Sequence, residues 1–410
     1  MGKGSNLVFL TLSGEIMIQH VKQLKNTVVV LLALLLSFGA SCKRGPKENQ
    51  MDMTLNASGE AQEAQLQLDG EGSATIGLGD VYVTGYTGNA SGEDVAMVWK
   101  NGKVHWRLTD ENYGALTDAG SIFISGNDVY VAGYVRNFQD NDVAINIATV
   151  WKNGSVRWRL TDGKYDAGAR SVFVSNGDVY AVGWEQRDVA DQLQDKIAMV
   201  WKNGKFHWRL TDGSCDAGAI SIFVSGKDVY VAGYEMNAQG NMVATVWKNG
   251  KVPARLTDGN YNATAISVFV SGDDVYATGW EHNAKGKDIA MVWKNGGVQW
   301  RLTNGSFDAA AISIFVSGDD CYVAGREESA KGNPVATIWK NGKLLTRLTD
   351  GNYFACANAI SVSGNDDVYA AGYEWSGQDK AIATVWRNGE VQWRLSNGDY
   401  NAFAASIFIK

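Results

Sequence analysis

Alternating apolar and polar side chains mark short stretches of the chain from about residue 80 to the end. In "DVYVAGY", which begins at Asp228, Val229 and Val231 alternate with Tyr230 and Ala232. A period of two residues is typical of a strand, because successive side chains then point to opposite faces, whereas a helix needs a period near 3.6 residues. The pattern therefore predicts strands rather than helices.

These strands belong to a repeat. The string Asp-(Val/Cys)-Tyr-x-x-Gly occurs seven times, and its first residues are Asp80, Asp128, Asp178, Asp228, Asp274, Asp320 and Asp367. Each unit has four segments, typified by "SIFVSG", "DVYVAGY", "ATVWK" and a strand ending in "WRLTDG". Four short antiparallel strands with a period in the forties describe a propeller blade. We therefore predict an all-β fold, a seven-bladed β-propeller over residues 74–410.

Asn-Gly lies between the third and fourth segments of every unit, from Asn101-Gly102 to Asn388-Gly389. Asn-Gly between apolar alternating segments predicts a two-residue hairpin, because a type I′ turn needs positive φ at both positions. The ring is predicted to close through Ser406–Lys410, a first segment that no second segment follows, lying beside residues 80–86 as the innermost strand. Closure of this kind removes an open sheet edge. The alternative is that residues 73–79 take this place and the last strand frays.

Three further residue types recur once in each unit. The tryptophans are predicted to pack between blades, with ligand contact as the alternative. The glycines are predicted to allow close backbone approach. The arginines are predicted to pair with repeated acids or to cover outer strands, with an anion-binding ring as the alternative. The three sets are Trp99, Trp151, Trp201, Trp247, Trp293, Trp339 and Trp386; Gly85, Gly133, Gly183, Gly233, Gly279, Gly325 and Gly372; and Arg107, Arg159, Arg209, Arg255, Arg301, Arg347 and Arg394.

The N-terminus has a different pattern. Residues 27–38 read "TVVVLLALLLSF", Lys22 and Lys25 precede them, and "GAS" leads to Cys42. A membrane-spanning helix needs about 20 apolar residues, so this shorter run is predicted to be a signal peptide. The cysteine after small residues resembles a bacterial lipoprotein signal, although Gly39 stands where that family usually has leucine.

That resemblance implies that residues 1–41 are a removable signal, with Met17 as an alternative start, and that Cys42 is lipidated. Residues 42–73 are polar and aperiodic and are expected to form a flexible tether. The expected location is the bacterial cell envelope, at the outer membrane on its surface or periplasmic side, with the lipid as the sole membrane attachment. The alternative is an ordinary cleaved signal in which the cysteine has no role.

The repeat itself, over about residues 74–410, resembles the Trp- and Gly-punctuated units of bacterial propeller lipoproteins. These include the outer-membrane assembly factor and the quinone-dependent dehydrogenases, whose blades also end in a tryptophan-bearing strand. The resemblance implies the propeller architecture and no particular activity, because propellers host unrelated functions.

Composition excludes several classes of function. The formal net charge is −7 and the pI about 5.3, which disfavours a nucleic-acid partner. Cys215, Cys321 and Cys356 stand where other units carry different residues, so no disulfide framework or zinc site is predicted. The four histidines do not cluster, and no phosphate-binding loop or nucleophile motif occurs. We expect a monomer with no cofactor, no metal and no identified catalytic residue.

The propeller has two unlike faces. The turns between strands 1 and 2 and between strands 3 and 4 share one face, here called the turn face, where the sequence is short and nearly constant. The strand-2/3 loops and the blade-to-blade loops share the other, here called the loop face. Its loops vary and are longest over blades 1 to 3. Loops on a rigid scaffold usually carry binding, so the loop face is the predicted binding face and the turn face the predicted scaffold.

Aromatic and acidic residues accompany these loops. Aromatic rings beside carboxylates suit sugar rings, and the alternative is that the rings fill gaps between blades while the acids balance the repeated cations. The ligand-binding candidates are Tyr113, Phe138 (which precedes Gln139), Tyr165, Asp166, Trp184, Glu185, Asp191, Asp216, Trp280 and Glu281.

Three functions remain open. The favoured hypothesis is an envelope-anchored binding module for a glycan or an envelope protein, using the loop face over blades 1 to 3. The second is a structural scaffold in an envelope protein complex, which requires an exposed apolar patch. The third is a carbohydrate-active enzyme with two carboxylates about 5 to 9.5 Å apart, for which Asp191 and Asp195 are the first residues to mutate.

Overall fold

A computed structural model describes residues 79–90, 93–108, 120–138, 144–189 and 192–410, together with four short strands between residues 54 and 76. The chain divides into two compact units, Met1–Leu78 and Gly79–Lys410. The predicted signal peptide and Cys42 lie outside the described residues.

The first unit contains two small antiparallel pairs. Strand β1 (Thr54–Leu55) pairs with β2 (Ala61–Glu63), and β3 (Leu66–Leu68) pairs with β4 (Ala74–Ile76). Most of these residues fall within the segment expected to act as a tether, so that segment includes short strands. Whether it links a lipidated cysteine to the propeller stays a prediction.

The second unit consists of seven four-stranded antiparallel sheets, and the described residues contain no helix. Blades 1 to 3 comprise β5 (Val81–Gly88), β6 (Asp94–Lys100) and β7 (Lys103–Arg107); β8 (Ser121–Ser125), β9 (Asp128–Phe138), β10 (Ala144–Lys152) and β11 (Ser155–Arg159); β12 (Ala167–Ser175), β13 (Asp178–Val189), β14 (Gln192–Lys202) and β15 (Lys205–Arg209). Blades 4 and 5 comprise β16 (Ala217–Ser225), β17 (Asp228–Met236), β18 (Met242–Lys248) and β19 (Lys251–Arg255); β20 (Ala263–Ser271), β21 (Asp274–His282), β22 (Asp288–Lys294) and β23 (Gly297–Arg301). Blades 6 and 7 comprise β24 (Ala309–Ser317), β25 (Asp320–Glu328), β26 (Pro334–Lys340) and β27 (Lys343–Arg347); β28 (Ala355–Val362), β29 (Val368–Trp375), β30 (Ala381–Arg387) and β31 (Glu390–Arg394). The last strand, β32 (Ala402–Ile409), completes blade 1, whose order is β32-β5-β6-β7. The prediction of a seven-bladed β-propeller is confirmed.

The ring closes through the C-terminal strand, as predicted. Strand β32 pairs with β5 from Ala402 opposite Thr87 to Ile409 opposite Val81. It begins four residues before the expected Ser406, because the strand continues across a bulge between Ala404 and Ser406. The alternative, in which residues 73–79 fill this place, is wrong.

Six of the seven repeated second-strand glycines lie against the neighbouring backbone. Gly233 pairs with Ala219 of β16 at a bulge, and a Cβ atom on Gly233 would overlap the carbonyl oxygen of Gly218. The same overlap with a first-strand carbonyl occurs at Gly85, Gly183, Gly279, Gly325 and Gly372. The predicted close approach is confirmed at these positions.

The turn face carries a network of polar contacts that repeats in all seven blades. In blade 4, the turn residues Asn249 and Gly250 have φ of 52° and 77°, as the predicted turn requires. The Asn249 amide accepts a hydrogen bond from the Val229 N–H at 2.9 Å and donates one to Asp228 at 2.8 Å. Lys248 pairs with Asp228 at 2.7 Å and lies over the Tyr230 ring. The hydrogen bonds from Lys248 and then Asn249 hold the pKa of the Asp228 carboxyl below its usual value.

The seven repeated tryptophans are the largest fully buried side chains, none more than 1% exposed. Each belongs to one of seven apolar clusters between neighbouring blades, for example Trp247 with Val182, Val200 and Ile222. Their predicted packing role is confirmed.

The axis is surrounded by the first strands, which contact one another in sequence around the ring. Partly buried phenylalanines touch along this ring at centroid distances of 4.5 to 5.2 Å; they are Phe408, Phe123, Phe173, Phe223, Phe269 and Phe315. The seventh position is Ser361, in β28. Serine hydroxyls also link adjacent first strands, as where Ser406 accepts a hydrogen bond from the Ile122 N–H at 3.3 Å and joins blade 1 to blade 2.

Candidate functional site

The strand-2/3 loops and the blade-to-blade loops lie on the same face, as predicted. On the loop face, the Asn237 amide in a strand-2/3 loop donates to the Gly259 carbonyl in a blade-to-blade loop at 2.9 Å. Of the candidate residues on this face, Tyr113, Phe138 and Asp191 lie outside the residues whose side chains are described. Most of the long loops over blades 1 to 3 do so too.

Asp166 and Asp216 lie just before the first strands of blades 3 and 4, and each binds the backbone of the preceding blade. An oxygen of Asp166 accepts a hydrogen bond from the Asn146 N–H at 2.8 Å, and one of Asp216 accepts from the Lys196 N–H at 3.1 Å. Asn262, Asp308 and Asn401 make the same contact in other blades. These oxygens each hold a backbone N–H of a third strand, in five blades, which supports the structural alternative for the two aspartates.

Trp184 lines a cleft between blades 3 and 4, which we call the blade 3–4 cleft. Its volume is about 160 Å³, and it is lined by Arg170, Trp184, Lys196, Gly218, Ala219, Ile220 and Tyr234. The Lys196 ammonium lies 4.4 Å from the centroid of a Trp184 ring, a cation–π distance. The Tyr234 hydroxyl donates to Asp216 at 2.8 Å. Burial, followed by this hydrogen bond to a carboxylate, raises the pKa of Tyr234.

The two cations of this cleft were not among the predicted residues. Arg170 occupies the bulge position of its first strand, where the other blades carry Gly120, Ile220, Ile266, Ile312, Asn358 and Ala405. Lys196 occupies a third-strand position that holds Asp94, Asn146, Met242, Asp288, Pro334 and Ala381 elsewhere. Comparison of the repeats at these two positions is the signal that would have found them.

Trp280 and Glu281 lie apart from this cleft, in blade 5. Glu281 pairs with Arg301 at 3.7 Å, and burial raises the pKa of its carboxyl. The Trp280 ring lies tilted against that of His282, with centroids 5.1 Å apart, and His282 pairs with Asp288. Of the other candidates, Tyr165 is half-buried beside Lys164, and Glu185 pairs with Ala167 in the sheet. The predicted residues therefore do not form one site.

Four of the seven repeated arginines pair with acids at the ends of second strands, as predicted. Arg255 with Glu235, Arg347 with Glu327 and Arg394 with Glu374 lie 3.1, 2.9 and 2.8 Å apart. With Arg301 and Glu281 these make four such pairs, so the alternative of an anion-binding ring loses support at these positions.

A second cavity lies on the turn face, which was predicted to be scaffold only. This blade 4–5 cavity has a volume of about 260 Å³ and is lined by Tyr230, Val246, Lys248, Pro253, Leu256, Asp273, Val275, Ala277, Trp293, Asn295 and Gly296. It is larger than the blade 3–4 cleft, so the turn face is not uniform around the ring.

The described residues give little support for catalysis by paired carboxylates, for a reactive thiol or for a metal site. Neither the blade 3–4 cleft nor the blade 4–5 cavity is lined by two carboxylates, so the enzyme hypothesis has no supporting pair there. Burial raises the pKa of the Cys321 and Cys356 thiols to about 12, unlike a reactive thiol. No group of three or more metal-ligating side chains occurs in the described part of the chain. Nor does that part contain a helix long and apolar enough to cross a membrane.

The described unit is a protein of the β-propeller class. No protein-family model matches the chain. No curated protein matches it either. The WD40 β-propeller domain of Doa1 is 13% identical with a TM-score of 0.40, over 84% of this chain and 93% of that one. The β-propeller domain of the Trilobed protease from Pyrococcus furiosus is 11% identical with a TM-score of 0.45, over 78% and 95%. A PL25 ulvan lyase is 11% identical with a TM-score of 0.35, over 81% and 80%. At these identities the likeness concerns the fold alone.

Proposed function

We propose that the protein is a binding module that binds an acidic glycan on its loop face, and that the glycan contacts the blade 3–4 cleft. The observation that carries the proposal is the meeting of Arg170 and Lys196 beside two aromatic side chains. Neither cation is one of the repeated scaffold residues, because no other described blade has a cation at either position. The two cations lie in strands β12 and β14, on the face whose loops are the usual place for binding on a rigid scaffold.

The chemistry of the cleft favours a ligand with carboxylate or sulfate groups. Arginine offers a planar fork of donors to such groups, and lysine offers a point charge. Trp184 and Tyr234 supply apolar ring surface with polar atoms at the edge, which is the usual composition of a small-ligand site.

The test is a binding measurement on an array of acidic and neutral oligosaccharides. Acidic glycans are expected to bind, and the double variant Arg170→Ala, Lys196→Ala is expected to bind them at least about tenfold more weakly, because two charge-assisted hydrogen bonds are lost. Lys205→Ala is the matched control, since Lys205 is exposed on the outermost strand of the same blade. Equal binding of neutral and acidic glycans, or unchanged binding by the double variant, would contradict the proposal.

We further propose that Cys42 anchors the protein in a bacterial envelope. The support is the sequence alone: a basic segment, an apolar run of twelve residues and small residues before the cysteine. In a bacterial host, the wild-type protein is expected in the membrane fraction and to incorporate a labelled fatty acid, whereas Cys42→Ser is expected to do neither. Cys215→Ser is the matched control. Label incorporation by Cys42→Ser equal to that of wild type would exclude this anchor.

A further inference from the structure

The blade 4–5 cavity lies where a repeated tryptophan is missing. The fourth strand of the other units reads Val-x-Trp-Arg, Phe-x-Trp-Arg or Leu-x-Thr-Arg, whereas blade 4 reads Val252-Pro253-Ala254-Arg255. Five blades thus carry a tryptophan at this position: Trp106, Trp158, Trp208, Trp300 and Trp393. In the sheet, position 254 pairs with Val246 as each of these tryptophans pairs with its own third strand, and the sequence has alanine there.

Each of these five indoles packs on the following blade. Trp208 of blade 3 lies against Gly250 in the Asn-Gly turn of blade 4, with ring carbons 3.3 Å from where a Cβ of that glycine would be. The corresponding pairs are Trp106 with Gly154, Trp158 with Gly204, Trp300 with Gly342 and Trp393 with Gly102. All five also pack against the apolar cluster of that interface.

The equivalent surface of blade 5 is uncovered. Gly296 lines the cavity in the place of those turn glycines, and Trp293, Val246 and Leu256 form its apolar wall. Val275 is only half-buried, whereas its counterparts in the six other blades are at most 8% exposed; they are Val81, Val129, Val179, Val229, Cys321 and Val368. The cavity therefore has the apolar wall that an indole covers at the five other interfaces, and no indole covers it here.

Blade 6 also lacks the tryptophan, but its residue fills part of the space. Thr346 packs on Gly389, with its side-chain atoms 3.6 Å and 3.7 Å from where a Cβ of that glycine would be. Blade 4 is thus the unit in which the smallest side chain stands at this position.

We propose that the blade 4–5 cavity binds a tryptophan side chain presented by another polypeptide. At the five other interfaces described above, an indole covers the equivalent surface, so an indole is the ring expected to fit this cavity. A cavity of about 260 Å³ exceeds the apolar cavity of about 150 Å³ that binds benzene in an engineered protein. Asp273 lies at the rim, where its carboxylate can accept the indole N–H.

The indole must come from outside the chain. All 15 tryptophans of the sequence lie within the blades, between Trp99 and Trp393, and none is in residues 1–98. The partner is therefore a protein segment with an exposed tryptophan, and the site is on the face opposite the blade 3–4 cleft. It is independent of the proposed glycan site, and either can fail without the other.

Binding is tested on the whole protein with free indole, the peptide Gly-Gly-Trp-Gly-Gly and its Ala counterpart. Indole and the Trp peptide are expected to raise the Tm with increasing concentration, as a ligand of the native state does. Ala254→Trp is expected to abolish both shifts while raising the Tm of the free protein by about 2–4 °C, because the new side chain fills the cavity. Thr346→Trp is the matched control and is expected to keep both shifts.

Three results would overturn the proposal. Undiminished Tm shifts in Ala254→Trp would place binding elsewhere. Shifts with free indole but not with the Trp peptide would assign the cavity to a small aromatic molecule rather than to a polypeptide. Equal shifts with the Trp and Ala peptides would show that the ring is not recognised. Circular dichroism of Ala254→Trp establishes that this variant is folded.

Discussion

A chain that ends at Asn401 is expected not to fold into a stable propeller. The truncation removes β32, whose Ala402, Ala404 and Ile407 side chains are buried, and it leaves β5 with an open edge. It also removes the Ser406 bond to blade 2. The expected loss is about 5 kcal/mol or more, which is comparable with the whole stability of many domains. Chemical denaturation followed by circular dichroism measures it.

Lys410→Ala provides the control for this truncation. The Lys410 side chain is exposed and contacts Asn127, while its backbone N–H bonds to the Asp80 carbonyl, a contact that alanine keeps. We expect a change within about 0.5 kcal/mol, as for other surface substitutions. A truncated chain that unfolded cooperatively at the wild-type denaturant midpoint would show that blade packing alone closes the ring.

Gly233→Ala is expected to be among the most destabilising of the conservative single substitutions in a blade. The added methyl group would overlap the carbonyl oxygen of Gly218, which is backbone and cannot turn away as a side chain can. Accommodation requires the first strand of blade 4 to move, and that strand packs on the first strands of both neighbouring blades. The expected loss is about 3 kcal/mol or more in the free energy of unfolding.

Gly364→Ala is the matched control, because the same methyl group there meets no atom within 4 Å. Its φ lies outside the left-handed region, so alanine is accepted without strain and the change is expected to be neutral or slightly stabilising. Equal denaturant midpoints for the two variants would mean that the close approach in the blade is not the reason for the repeated glycine.

The structural features that the sequence predicted well are those that each blade needs within itself and that therefore recur in seven copies. The Asn-Gly turn, the buried Trp and the close-packed Gly are each recognisable because every copy needs the same geometry. The exact start of the first strand was predicted less well. Bulges such as that between Ala219 and Ser221 extend pairing beyond the alternating pattern, which by itself indicated a strand from Ser221.

The candidate sites were predicted less well, because they depend on contacts between units. The chemistry of Asp166 and Asp216 suggested ligand binding, but in the structure each accepts a hydrogen bond from the third-strand backbone of the preceding blade. Arg170 and Lys196 were passed over because their significance lies in meeting across the blade 3–4 cleft. Their departure from the repeat was visible in the sequence, but their proximity was not.

The sequence by itself determined the number of blades, the turn chemistry and the two unlike faces, because repetition turns each local requirement into a readable pattern. It left two candidates for the closing strand, and the pairing of β32 with β5 decided between them. Only the tertiary structure decided where departures from the repeat have consequences. The alanine at position 254 matters because the missing ring belongs against Gly296 of the next blade, and that neighbour is set by how blades stack. Both the blade 3–4 cleft and the blade 4–5 cavity arise from packing between blades, rather than from the sequence pattern within one blade.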